Sequence, residues 1–127
     1  MMDKVLFSRK SDNWRTPKVI YKRYMEIGYY DPCPYNSTFN GLEIEWKEKN
    51  FVNPPYSKIK QFVDKSIEEH KKGKEVVLLI PARTDKISFH EYIYGKAEIR
   101  YIKGRLKFGD GKNPAPFPSM VVVFKSQ

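Results

Sequence analysis

Apolar positions recur along this chain at two spacings, one near 3.6 residues and one in short continuous runs. Where each spacing occurs predicts the elements. Val19, Ile20, Tyr24 and Ile27 follow one another at helical intervals. Thr16 stands before Pro17 as an N-cap ahead of a proline suited to a first turn, and Gly28 stops the pattern. Tyr29 to Asp31 is short and strand-like, and Pro32 and Pro34 end it. Residues 35 to 43, with Asn, Ser, Thr and Gly, read as a loop. Phe51 and Val52 close a short strand, and Ser57 opens a second helix with Ile59, Phe62, Val63, Ser66 and Ile67 on one face. The other face of that helix is charged. Its end carries His70, Lys71, Lys72 and Lys74, which read as solvated cations at the negative end of the helix dipole, and Gly73 is the stop.

Glu75 to Ile80 is a continuous apolar run, as a strand buried on both faces requires, and Pro81 ends it. A short helix is predicted over 87 to 94, strands over Glu98 to Ile102 and Met120 to Phe124, and between these strands a Gly/Pro/Lys loop from Gly104 to Pro118. Phe62, Leu78, Leu79, Val121 and Val123 read as core. Strands alternating with helices predict a three-layer α/β domain whose last strands run antiparallel. Ligands of such sheets sit at the carboxyl ends of the strands. Asp31-Pro32, Asn53-Pro54-Pro55-Tyr56 and Pro81-Ala82-Arg83 each follow a strand and so project to one rim.

Length and charge narrow the picture further. At 127 residues the chain fits one domain. The 24 Lys and Arg against 15 Asp and Glu leave a net charge of +9, which favours a polyanionic partner. Cys33 is the one cysteine, and it reads as packing. With only His70 and His90 beside it, both surface residues in this reading, a disulfide and a structural zinc site are disfavoured. The apolar runs fall well short of the ~20 residues of a membrane helix. The first nine residues lack the apolar stretch of a signal peptide. A soluble protein of a reducing compartment is the expectation.

The richest chemistry lies in Asn53-Pro54-Pro55-Tyr56. The two prolines stiffen the loop and remove two backbone donors, leaving carbonyls free to accept hydrogen bonds. The Asn53 side-chain oxygen and the Pro54 carbonyl suit an aryl amine, and Tyr56 suits stacking on its ring. The stretch also reads as a proline-rich turn with a tyrosine filling a gap. Arg83, Thr84 and Asp85 are candidates for contact with a target strand, or for a plain strand-to-helix turn capped by Asp85. Lys103, Arg105, Lys107 and Lys112, interleaved with Phe108 and Phe117, suit phosphate contact beside a stacking platform.

Seven stretches in order resemble the phage-type DNA N6-adenine methyltransferase (Dam-like) family. They are Asn13-Trp14-Arg15-Thr16-Pro17, Tyr30-Asp31-Pro32-Cys33, Gly41-Leu42 with Trp46, Phe51 to Ser57, Val77 to Asp85, Gly104 to Phe108 and Pro118 to Phe124. The resemblance implies a minimal Rossmann-like methyltransferase fold, with a mixed, mostly parallel sheet flanked by helices, as a single domain over residues 1–127. It implies S-adenosylmethionine as donor and adenine N6 in DNA as acceptor. Asn53, Pro54, Pro55 and Tyr56 would hold the flipped adenine. Trp14, Thr16, Pro17, Asp31, Pro32 and Asn53 would border the donor. Arg83, Lys103, Arg105, Lys107 and Lys112 would contact DNA. The sulfonium leaving group needs no metal, so none is expected, and the expected location is the cytoplasm, of the host cell if the chain is phage-encoded. The chain departs from the pattern in lacking a Gly-x-Gly loop and in a shortened segment over 35 to 41. Glu43 and Glu45 are candidates for the donor's ribose, with ordinary solvated carboxylates the preferred reading. An RNA base or a glutamine amide as acceptor, or a silent nucleic-acid-binding domain, are the alternatives.

Overall fold

The computed structural model describes residues 15–82, 97–102 and 118–126. Helix α1 spans Lys18–Glu26, strand β1 Lys49–Val52, helix α2 Ile59–Lys71, strand β2 Glu75–Pro81, strand β3 Glu98–Tyr101 and strand β4 Ser119–Phe124. The helix predicted over 87–94 and most of the Gly/Pro/Lys loop lie outside the described residues.

The four strands form one sheet in the order β1-β2-β4-β3. β1 pairs with β2 in parallel, Val52 facing Leu78, while β4 runs antiparallel to β2 and β3. Three of the four strands therefore point one way. The sheet is mixed as expected, but only one of its three ladders is parallel because β4 separates β2 from β3. Beyond β1, Tyr30 adds one parallel bridge to Asn50, the remnant of the short strand expected over 29–31.

Both faces of the sheet are covered. Alternate β2 residues Val76, Leu78 and Ile80 pack with Val52, Met120, Val122 and Phe124 under Phe62 and Val63 of α2. Val77 and Leu79 pack with Phe51 and Val123 under Ile20, Tyr21, Tyr24 and Met25 of α1. The period of two along β2 thus divides its apolar run between two cores. Burial of each such side chain contributes ~1.5–3 kcal/mol.

Several expectations are corrected. α1 starts at Lys18 with no side-chain cap at the flanking Pro17. Thr16 does not cap it; its hydroxyl serves Asn53 instead. Val19 and Ile27 are 81% and 61% exposed. The helix packs the half-buried stripe Ile20, Tyr21, Tyr24, Met25 against the sheet, because the large tyrosines cover more sheet than one valine. Tyr24 stacks on Phe51 at 4.4 Å. The second helix begins as a 3-10 turn over Tyr56–Lys58 before α2 proper. His70 is half-buried, its Nε2 2.8 Å from the Lys125 carbonyl.

Lys72 and Lys74 do more than solvate a helix end. Glu69 is fully buried, and its carboxylate accepts hydrogen bonds from the Trp46 N–H at 3.1 Å and from Lys74. Lys65 and Lys72 pair with its other oxygen at 3.1 and 3.2 Å. Burial by itself would raise the Glu69 pKa. The bonds from Lys74, Lys65, the Trp46 N–H and Lys72 outweigh it and bring the pKa to about 2. This cluster ties the end of α2 to the segment entering β1. Asn50 pins the same entry, bonding both the N–H and the carbonyl of Lys47 at 2.9 and 2.8 Å.

Candidate active site

The parallel strands converge on one rim. Tyr30, β1 and β2 run in the same direction, so Asp31, Asn53 and Ala82 all follow carboxyl ends on the same side. The Ala82 N–H bonds the Pro118 carbonyl at 2.9 Å and the Ile102 N–H bonds the Ser119 carbonyl at 3.1 Å. The residues flanking Arg83 and Lys103 therefore reach this rim too. Arg83, Lys103, Arg105, Lys107, Lys112 and Trp14 themselves lie outside the described residues, as do Thr84, Asp85, His90, Phe108 and Phe117.

Asn53 and Thr16 meet, though 37 residues apart. The Asn53 Nδ2 donates to the Thr16 hydroxyl oxygen at 3.1 Å, which leads the chain before α1 across to the loop after β1. Turning the amide nitrogen towards Thr16 fixes which way the Asn53 oxygen faces. Pro54 is buried and Pro55 and Tyr56 are half-buried. The Pro55 carbonyl accepts the Lys58 N–H at 2.9 Å, closing the turn that leads into α2.

Among the described residues, Asp31 places a carboxylate at the rim. One oxygen accepts the Cys33 N–H at 2.8 Å, folding the chain back on itself. Tyr21 of α1 donates its hydroxyl to the same carboxylate. Burial pushes the Asp31 pKa up, and the bonds from Cys33 and Tyr21 only partly counter it. The Tyr21 pKa is raised as well, by burial and then by the neighbouring Asp31 charge. Sequence reasoning missed Tyr21, which has no motif to mark it.

Pro32 is fully buried and abuts Gly41. A Cβ at Gly41 would stand 2.0 Å from the Pro32 carbonyl oxygen, so no larger residue fits. The Gly41 carbonyl accepts the Trp46 indole N–H at 2.8 Å, and Trp46 is 2% exposed and stacked towards Phe62. The Gly41-Leu42 and Trp46 stretch therefore acts as a strut beneath the Asp31-Pro32 turn. Arg15 lies over the Tyr35 ring at 4.6 Å, joining the segment before α1 to the loop after Asp31. Cys33 packs against the core.

Among the described residues, two clefts adjoin the sheet. One of about 650 Å³ is lined by residues 28–30, 45–49 and Lys74, at the amino ends of β1 and β2. Glu45 belongs there, 3.7 Å from Lys74, and Glu43 is exposed, so neither adjoins Asp31 through a described contact. The other cleft, of about 430 Å³, lies at the carboxyl rim between residues 33–34 and 36–41 on one side and Pro55, Lys58 and Phe62 on the other. The smaller cleft lies on the side where open α/β sheets bind ligands, at the carboxyl ends of the strands.

The geometry defines an α/β protein with its candidate site at the carboxyl edge of adjacent parallel strands. The chain belongs to the DNA N-6-adenine-methyltransferase (Dam) family, whose sequence profile matches residues 4–126. It is 32% identical over 111 residues to a protein of Escherichia phage T1 named DNA N-6-adenine-methyltransferase. That similarity covers 75% of this chain and 46% of the phage protein, so the chain spans about half the length of the curated relative it matches. No solved structure matches. The family resemblance carried by the seven ordered stretches is borne out. Among the described residues, no group of three or more His, Cys, Asp or Glu could hold a metal ion, and no helix is long and apolar enough to cross a membrane.

Proposed function

We propose that this chain transfers a methyl group from S-adenosylmethionine to the N6 amino group of adenine in DNA, through one Rossmann-like domain over residues 1–127. One observation carries the reading. Asn53-Pro54-Pro55-Tyr56 and Asp31 stand at the carboxyl ends of neighbouring parallel elements, in a chain of this family.

The residues fit a cationic donor. Asp31 is a half-buried carboxylate whose described partners are the Cys33 N–H and Tyr21. Its raised pKa means desolvation is not fully compensated, and a positive ligand beside it supplies the missing compensation. Asp31, Pro32, Thr16, Pro17 and Trp14 would hold the donor, with Asn53 between donor and base. The donor supplies a methyl group on an already activated sulfonium.

The chain's own contribution is positioning and electrostatics. The Asn53 oxygen and the Pro54 carbonyl accept the two N–H bonds of the adenine amine, which directs its lone pair at the methyl group. Tyr56 stacks on the base and fixes its plane. Together they offset the few kcal/mol needed to extrude a base from the stack. The net charge of +9 favours DNA as partner, and Arg83, Lys103, Arg105, Lys107 and Lys112 are the proposed contacts outside the donor site. The proposed place of action is the cytoplasm, of the host cell where a phage encodes the chain.

The test is methyl transfer from labelled S-adenosylmethionine to mixed-sequence DNA, RNA and protein. N6-methyladenine in DNA is expected, with Asn53→Ala and Tyr56→Ala each slower by about 10²–10³. Label on RNA or protein would overturn the acceptor. No label on any acceptor, with no donor binding, would overturn the reaction.

A further inference from the structure

We infer that the cleft at the carboxyl rim between Asn36–Gly41 and Pro55–Lys58 holds the nucleotide next to the target adenine, gripping its phosphate rather than the methyl donor. This rests on the proposed DNA methylation and assigns to it a part of the surface that no motif marked.

The lining chemistry argues for a nucleotide. Asn36 and Asn40 bring side-chain amides, Phe39 is 38% exposed, and Phe62 and Pro55 bring apolar surface. Among the described residues, no acidic one lines the cleft. Amides for base edges, an aromatic ring for stacking and a cation for phosphate are the groups that recognise a single nucleic-acid strand. The larger cleft at the opposite rim is different, since Glu45 and Glu48 accompany its lysines.

The charge argues for DNA over the donor. Lys58 is exposed and, among the described residues, forms no salt bridge with a carboxylate. It is also the residue that joins the 3-10 turn to the start of α2, and no acid stands in the first turn of either. A lysine at the positive end of a 13-residue helix favours an anion. S-adenosylmethionine carries a sulfonium and an ammonium against a single carboxylate, and Asp31, the proposed counterpart of its cationic part, does not line this cleft. A phosphodiester fits Lys58. Pro55 lines the cleft and belongs to the loop that would seat the adenine, so a strand entering the cleft is contiguous with the target base.

The test measures binding of a fluorescent adenine-containing deoxyoligonucleotide over a range of salt, without donor, and donor binding separately by calorimetry. Lys58→Ala is expected to weaken DNA binding and to reduce the slope of log affinity against log salt by ~0.7 for a single strand, one phosphate contact. Phe39→Ala is expected to weaken it about tenfold through lost stacking, with little change in salt slope. Both variants should bind the donor like the parent and melt within a few degrees of it. Unchanged DNA affinity and slope in both variants would overturn the inference. So would loss of donor binding with DNA binding intact, which would make the cleft the donor's. Because DNA binding is read without turnover, a chain that binds through Lys58 and Phe39 but never methylates would refute the reaction and leave the cleft assignment standing.

Discussion

Replacing Gly41 by alanine tests whether the strut under Asp31 matters to the site. The new Cβ would lie 2.0 Å from the Pro32 carbonyl oxygen, 3.1 Å from its carbon and 3.4 Å from the Phe62 ring. That is roughly 1.5 Å inside a comfortable van der Waals separation. Neither side yields easily. Pro32 is fully buried, and Gly41 is held by the Trp46 indole at 2.8 Å. Overpacking of this kind costs about 1–3 kcal/mol. Reduced freedom of the unfolded chain returns about 0.4–1 kcal/mol, leaving a net loss of about 1–2. For a domain of this size that is a fall in Tm of roughly 4–8 °C. The backbone of Pro32 must move, and Asp31 precedes it. A displacement near 1 Å at a positioned group can cost up to ~100-fold in rate, and donor affinity should fall at least severalfold. The assay is thermal unfolding together with calorimetric titration of S-adenosylmethionine. Gly73→Ala is the control. Gly73 has φ +96° and open space around it, so alanine there strains the end of α2 without touching Asp31. Gly41→Ala with parental Tm and parental donor affinity would refute the reasoning. So would a matching loss of donor affinity in Gly73→Ala.

Two carboxylates should show opposite dependence on pH. Glu69 has its pKa lowered from 4.5 to about 2, so its stabilisation is complete above pH 4.5 and is lost as the pH falls towards 2. At ~1.4 kcal/mol per pH unit this is roughly 3 kcal/mol, and screening around the half-exposed Lys72 reduces it to about 2. Glu69→Gln should therefore lower the denaturation midpoint at pH 7, and the gap from the parent should close near pH 2.5; a gap independent of pH would contradict the ion cluster. Asp31 has its pKa raised, so the fold disfavours its charged form and loses stability as the pH rises through the folded value. Asp31→Asn should match the parent in acid and equal or exceed it in stability at neutral pH, while binding the donor more weakly; a variant less stable at pH 7 than in acid, relative to the parent, would contradict the burial argument.

Much of the architecture was open to a reading of residues alone. Hydrophobic periodicity is local, so the run Val76 to Ile80, the apolar stripe of α2 and the stops at Gly28 and Gly73 could be read along the chain. The Asn53-Pro54-Pro55-Tyr56 loop was readable for the same reason. Its stiffness comes from its own prolines, and its position follows from the strand before it. Local pattern failed where two faces competed. α1 offered Val19 and Ile27 as well as Tyr21 and Met25, and the sheet's need for bulky cover against Phe51 chose the second set.

What the chain's order of residues determined by itself was therefore the set of elements, the rim their carboxyl ends share and the chemical groups carried there. Only the tertiary structure decided which groups meet. The insertion of β4 between β2 and β3, the Thr16 hydroxyl on Asn53 and the tyrosine of α1 on Asp31 join parts of the chain that local propensity cannot relate. So does the burial of Glu69 among three lysines, where a charged helix face had suggested only solvent. The physical reason is common to all of them. A buried polar group must find its partner wherever packing delivers one, and the cost of leaving it unpaired is set by the assembled interior rather than by its neighbours in sequence.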